Sequence, residues 1–159
     1  MRKTKIFLDT TVISFLYNKQ RPDWEAETWA LWEYLIAGKY DIVISDDVIR
    51  EIKACPEPKQ QKMLDMLKKI EYTEIIVNDE IEDIADEIIK MGFLKEKNRI
   101  DCNHIGSAIV SNCRYLLSWN YTDLANSDTN NGVRIITHLL HYPSIEILLP
   151  YNLKFREEK

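Results

Sequence analysis

Lys5-Ile6-Phe7-Leu8-Asp9-Thr10-Thr11-Val12-Ile13-Ser14 is a short apolar run that stops at a carboxylate followed by two hydroxyl residues. Beginning a few residues from the first position, it reads as the first, central strand of an α/β sheet, with Asp9 delivered at its carboxyl end. Open parallel sheets bind ligands along that edge. Asp9 is therefore the residue around which other polar groups are sought.

Working outward, apolar segments at residues 40–45, 75–77, 115–119 and 145–149 read as four further strands. Between them lie stretches with helical spacing. Residues 10–18 begin a helix that Arg21-Pro22 breaks, and Asp23 caps a second one, with Trp29, Trp32, Leu35 and Ile36 on one face and Gly38 at its end. That tryptophan spacing is read as core or interface in preference to a base-stacking platform. Asp46 or Asp47 caps the helix carrying Val48, Ile49, Glu51 and Ile52, and Met63, Leu64, Leu67 and Ile70 mark the next. Asp79, with Glu82 three residues on, resembles a capping box ahead of the stripe Ile81, Ile84, Ala85 and Ile88. Asp101 opens a helix with Ile105, Ala108 and Ile109 inward. Residues 126–132, dense in Asn, Asp, Ser and Thr, read as a loop, and Val133, Ile136, Leu139 and Leu140 as a last helix. Alternation of strand and helix implies a single-domain, three-layer α/β/α sandwich with a mostly parallel central sheet. One domain is expected over residues 1–155, followed by a disordered tail at 156–159.

The 159 residues, 45% hydrophobic and 30% charged, suffice for one real core. No signal peptide or membrane-spanning run is evident. The three cysteines include no C-x-x-C pair, which points away from a disulfide framework or zinc site and towards a reducing cytoplasm. A net charge of -5 argues against coating nucleic acid through bulk electrostatics. It does not exclude a nuclease, which concentrates acids at its centre and relies on bound cations to invert the local field.

Right-handed crossovers bring Asp9, Glu51, Asp101 and Asn120 or Asp123 to one sheet edge. With 26 acidic residues in the chain, any single one of these reads equally as a cap or solvated charge. Together, carboxylates in close proximity raise one another's pKa unless a cation neutralises them, and an all-oxygen set selects Mg²⁺ or Mn²⁺.

The segments Leu8-Asp9-Thr10-Thr11-Val12-Ile13-Ser14, Val48-Ile49-Arg50-Glu51-Ile52, Ile100-Asp101 with its helix, and Leu117-Ser118-Trp119-Asn120-Tyr121-Thr122-Asp123-Leu124 resemble, in order, the four signature regions of the PIN domain family. The resemblance spans residues 5–149 and is greatest to the small nucleases exemplified by VapC toxins. It implies a PIN-like fold and a metal-dependent endoribonuclease of the toxin-antitoxin kind, with RNA as substrate. It also implies an antitoxin protein and a homodimer as partners. Asp9, Glu51 and Asp101 would be catalytic metal ligands. Many members carry an acid where Asn120 stands; the toxin-like Asn followed three residues later by an acid gives the fourth role to Asp123 and an orienting role to Asn120. Thr10, Thr11 and Ser118 would hold carboxylates or donate to phosphate, and Lys95, Lys97 and Arg99 would contact the backbone or lie in a solvated loop.

Two other readings stay open. One is a PIN-like module that binds RNA or protein without cutting, in line with the missing acid at Asn120 and an aromatic face of Trp24, Trp29 and Trp32. The other is a haloacid-dehalogenase-like phosphohydrolase with Asp9 as nucleophile, although Asp46-Asp47 falls too early and no later acidic pair after a strand completes that pattern. His104, on the face of Asp101, reads as a helix-surface histidine, and His138 and His141 form no cluster with a nucleophile. The four glycines make no phosphate loop.

Overall fold

The apolar run at Ile6 becomes β1 (Lys5–Leu8), the middle strand of a five-stranded sheet ordered β3-β2-β1-β4-β5 in the computed structural model, which describes residues 2–157. Its companions are β2 (Asp41–Ser45), β3 (Thr73–Ile75), β4 (Tyr115–Leu117) and β5 (Glu146–Leu148), and each neighbouring pair is parallel. Phe7 lies opposite Val43 on one side and Leu116 on the other. Ile6, Phe7 and Leu8 are wholly buried. A central parallel strand has both faces covered, so its sequence is a continuous apolar run and does not alternate.

The chain steps from β1 to β2 to β3 in one direction and then returns to β4 and β5. Right-handed crossovers accordingly place α1 (Thr10–Ser14), α2 (Pro22–Ile36), α3 (Asp46–Lys53) and α4 (Lys59–Leu67) on one face. They place α5 (Asp79–Met91), α6 (Arg99–Val110) and α7 (Ser127–Leu139) on the other. The packing agrees: α1 touches α3 and α4, whereas α5 touches α6 and α7. This is the three-layer α/β/α sandwich expected. The direction reverses between β1 and β4, where chains leaving the two strands diverge to opposite faces and open a crevice.

Several boundaries differ from the sequence reading. The third strand is Thr73–Ile75, not 75–77, because β2 sets its register through Ser45 opposite Ile75. Ile76 is then left exposed, and the Val77 amide donates to Asp46. Ser45, not Asp46 or Asp47, caps α3, and Asn78, not Asp79, caps α5. Helix α2 starts with Pro22 as its first residue and takes no side-chain cap from Asp23.

The expected loop at 126–132 is the first half of α7. Asn126 accepts the Thr129 amide as its N-cap, so the polar residues that suggested a loop are the signal of a helix start. Gly132 is there for close approach: a Cβ at that position would lie 2.4 Å from the Phe93 ring. Arg156, expected in a disordered tail, belongs to α8 (Leu153–Glu157) and grips Glu146 with two bonds of 2.9 and 2.7 Å. Residues 158–159 lie outside the described residues. No helix among those described is long and apolar enough to cross a membrane.

Asn126 also donates to the carbonyls of Tyr121 and Thr122, tying the turn after β4 to α7. Asn126→Ala is expected to lower stability by about 1–2 kcal/mol, since it removes a cap and two further bonds. Urea unfolding should show a lower midpoint with an unchanged slope.

Candidate active site

Asp9 follows β1 directly, is 2% exposed and serves as N-cap of α1. Its Oδ1 accepts from the Thr11 hydroxyl at 2.5 Å and the Val12 amide at 3.3 Å, and its Oδ2 accepts from the Ser118 hydroxyl at 2.5 Å. Ser118 lies just past β4, across the crevice. The Trp119 amide donates to Thr11 at 2.8 Å, and the Asn120 amide to Ser118 at 2.9 Å. Thr11 and Ser118 thus join the ends of two adjacent strands through one carboxylate. Burial raises the Asp9 pKa, opposed by nearby His104 and by the bonds from Ser118, Thr11 and Val12.

Glu51 reaches the crevice from α3. Its Oε1 accepts the Thr10 hydroxyl at 2.5 Å and sits 3.1 Å from His104 Nε2. Burial works against the Glu51 carboxylate, yet the bonds from His104 and Thr10 outweigh it and hold its pKa below the ordinary range. For His104, burial favours the neutral ring, while the Glu51 bond and the charges of Asp9, Glu51 and Asp101 prevail and raise its pKa.

His104 is not the surface residue expected: it is 2% exposed and packs beside Phe7. A signal was present in the sequence. Residues 102–110 contain no charged side chain, and a helix apolar or neutral all round is buried on every side. Every residue from Cys102 through Ile109 is buried, with α6 enclosed between sheet and α5.

Asp101 stands in the first turn of α6, two residues after its start, and so does not open the helix as its cap. Among the described residues no hydrogen-bond donor engages its carboxylate. Burial raises its pKa to about 6; His104 opposes this, while Asp9, Asp123 and Glu51 add to it. Asp9, Asp123 and Glu51 thus all lie within electrostatic reach of Asp101. Asn120 accepts the Asp123 amide at 3.1 Å, and its own amide faces Asp123 Oδ2 at 3.5 Å, so it orients the turn bearing that acid.

The basic residues beside Asp101 divide. Arg99 is bound to Asp86 at 2.6 Å and Glu96 at 2.7 Å, which fixes it to α5, whereas Lys95 and Lys97 remain exposed. The tryptophans form no common face: Trp32 is core, Trp29 is bonded to the Leu16 carbonyl, and Trp24 stacks on Trp119 with ring centres 4.5 Å apart.

Carboxylates with neutral hydroxyls and no thiolate among them are donors of the type a hard divalent cation prefers. Burial first, and then the neighbouring carboxylates, disfavour the ionised form of Asp101. The carboxylates are not gathered into a finished coordination sphere: among the described residues, no group of three or more His, Cys, Asp or Glu side chains has metal-binding spacing. Glu51 is held by His104 and Thr10 instead.

Among solved structures, the chain is similar to one of VapBC2 from Rickettsia felis bound to a DNA fragment from their promoter. The TM-score is 0.56 at 18% identity, over 91% of this chain and 97% of that one. It is also similar to VapC20 of Mycobacterium tuberculosis, a Sarcin-Ricin loop cleaving toxin, with a TM-score of 0.53 at 18% identity over 70% and 86% of the two chains. The chain has the PIN fold. No family model matches it, and no curated protein matches it in sequence. At 18% identity the likeness concerns the fold, and the site rests on the geometry above.

The raised Asp101 pKa has a consequence for stability in this PIN-fold chain. An acid whose folded pKa lies above its ordinary 3.8 destabilises the fold wherever it is ionised, here fully above about pH 6. The effect disappears as pH falls towards the ordinary value. A displacement of this size corresponds to about 3 kcal/mol, reduced to about 1–2 kcal/mol by water reaching the partly exposed group. In EDTA, Asp101→Asn is expected to raise the Tm at pH 7.5 and to leave it unchanged near pH 4, as followed by circular dichroism.

Proposed function

We propose that this chain is a divalent-metal-dependent endoribonuclease, acting on RNA phosphodiester bonds as the toxin of a toxin-antitoxin pair in the cytoplasm. The observation that carries the reading is the convergence of Asp9, Glu51, Asp101 and Asp123 at the switch point of the sheet, with the mutual repulsion felt at Asp101. The fold shared with VapC20 and the VapBC2 chain supports it, as do the four ordered segments resembling PIN signatures.

In this reading Asp9, Asp101 and Asp123, with Glu51, hold Mg²⁺ or Mn²⁺. The cation, when bound, supplies Lewis-acid polarisation of the scissile phosphate and a water nucleophile at neutral pH. The protein's own residues do the positioning. Thr11 and Ser118 engage both oxygens of Asp9, whereas Thr10 and His104 hold Glu51 by Oε1 alone and leave Oε2 to a ligand. Asn120 keeps Asp123 at the rim through the turn they share. Lys95 and Lys97, exposed near Asp101, are the groups available to phosphates of the substrate backbone. A covering antitoxin and a homodimer belong to the same reading.

Asp9→Asn and Asp101→Asn are each expected to abolish Mn²⁺-dependent cleavage of RNA while preserving the far-ultraviolet circular dichroism of the parent. Cutting at the parental rate by either folded variant would place the chemistry elsewhere. In calorimetric titration with Mn²⁺, Asp123→Ala should weaken binding more than Asn120→Ala, and the reverse order would give Asn120 the fourth ligand role.

A second reading has an observation in its favour. With Glu51 Oε1 committed to His104 and Thr10, and no three ligands at metal spacing among the described residues, the same scaffold suits a module that binds RNA or protein without cutting. Absence of Mn²⁺ binding by the pure protein, together with absence of cleavage, would decide for it. The phosphohydrolase alternative finds no support: the basic partner of the cluster is a histidine, not a lysine.

A further inference from the structure

We infer that the groove between the turn after β4 and the start of α7 holds one unpaired nucleobase of the RNA beside the scissile phosphate, with Tyr121 as its stacking wall. The inference rests on the nuclease reading above and names how that site takes hold of its substrate.

The groove has a volume of about 410 Å³ and is lined by Phe93, Tyr121, Asp123, Asn126, Ser127 and Asp128, among others. Asp123 belongs both to this lining and to the acid cluster, so the groove continues the catalytic crevice. Tyr121 is 56% exposed and contributes almost nothing to the core. An aromatic ring left in water at a rim is available for stacking, because every base offers a π-face.

The ring is also held in place. The Tyr121 amide donates to the Trp119 carbonyl at 3.0 Å, and its carbonyl accepts from Asn126 at 3.0 Å. It meets the Trp24 ring in a T-shaped contact, with ring centres 6.0 Å apart at 84°. Trp24 is itself clamped between Trp119 and the Arg21 guanidinium, which lies 3.5 Å from its ring centre. A ring fixed in this way loses little further freedom when a base is laid on it.

The polar lining selects the base over the phosphate. The Asp128 carboxylate in the lining repels a phosphate but accepts from the amino and imino groups of a base edge. Asn126 is spent on the Thr129 amide and on the Tyr121 and Thr122 carbonyls, so it props the groove open and leaves recognition to Asp128 and Ser127. A peptide in the same groove would also use Tyr121, but it would make no difference to cleavage of naked RNA.

The test compares wild type, Tyr121→Ala and Tyr121→Phe in Mn²⁺ on a single-stranded oligoribonucleotide of about ten nucleotides, intact or with an abasic residue at each position in turn. Tyr121→Ala is expected to raise KM about tenfold with kcat nearly unchanged, which is the size of losing one base stack. Tyr121→Phe should behave as wild type. One abasic position next to the cut should raise KM for wild type and not for Tyr121→Ala. An unaltered KM in Tyr121→Ala while wild type cleaves would overturn this inference alone and give the groove to a peptide partner. Loss in Tyr121→Phe equal to that in Tyr121→Ala would also overturn it, by assigning the effect to the hydroxyl. If wild type cleaves none of the oligonucleotides, both this inference and the nuclease reading fall.

Discussion

A buried carboxylate at the carboxyl end of a central strand is the constraint on which the molecule is arranged. Asp9 is 2% exposed, and a carboxylate in that position is tolerated only when its oxygens are satisfied. Thr11 and Val12 satisfy one oxygen and Ser118 the other, and these donors come from the two segments that diverge at the switch point. Solving the local problem of Asp9 therefore fixes how α1 leaves β1 and how the chain leaves β4. The positions of Asn120, Tyr121 and Asp123 follow from that second exit.

The other acids are treated differently, and the contrast is informative. Glu51 is matched with a histidine and a threonine, which makes its charge acceptable to the fold. Among the described residues Asp101 receives no such donor; it is desolvated and has three like charges near it. A chain selected only for stability would relieve that repulsion with a neutral residue. Strain of this kind is retained where function needs it, and perturbed carboxylates in a crevice point to chemistry.

Much of this was legible in the sequence because parallel α/β proteins write their sheet in unbroken apolar runs. Ile6 to Leu8, Ile42 to Ser45 and Tyr115 to Leu117 reveal the three inner strands, and the acids follow at or near their ends. The edge strand was misplaced by two residues, since β3 is held by pairing with β2 and not by burial of its own side chains. The start of α7 was missed because Asn, Asp, Ser and Thr serve both loops and caps, and only the tertiary contact of Gly132 with Phe93 separates the two. The role of His104 was missed for a similar reason: a single histidine has no periodicity, and its partner Glu51 lies 53 residues away.

His104 and the absent finished coordination sphere are two sides of one electrostatic arrangement. A cluster of four acids favours positive charge nearby: burial opposes it, but the Glu51 bond and the charges of Asp9, Glu51 and Asp101 prevail and raise the His104 pKa. In the proposed reading, a divalent cation bound by Asp9, Asp101 and Asp123 would meet Glu51 already held through one oxygen. The histidine fixes where the acid stands, and Thr10 fixes the same oxygen from the opposite segment. Preorganisation of this sort places the cost of assembling like charges in folding, where burial of Phe7, Leu8 and Leu116 offsets it, and leaves the crevice ready for its ligand.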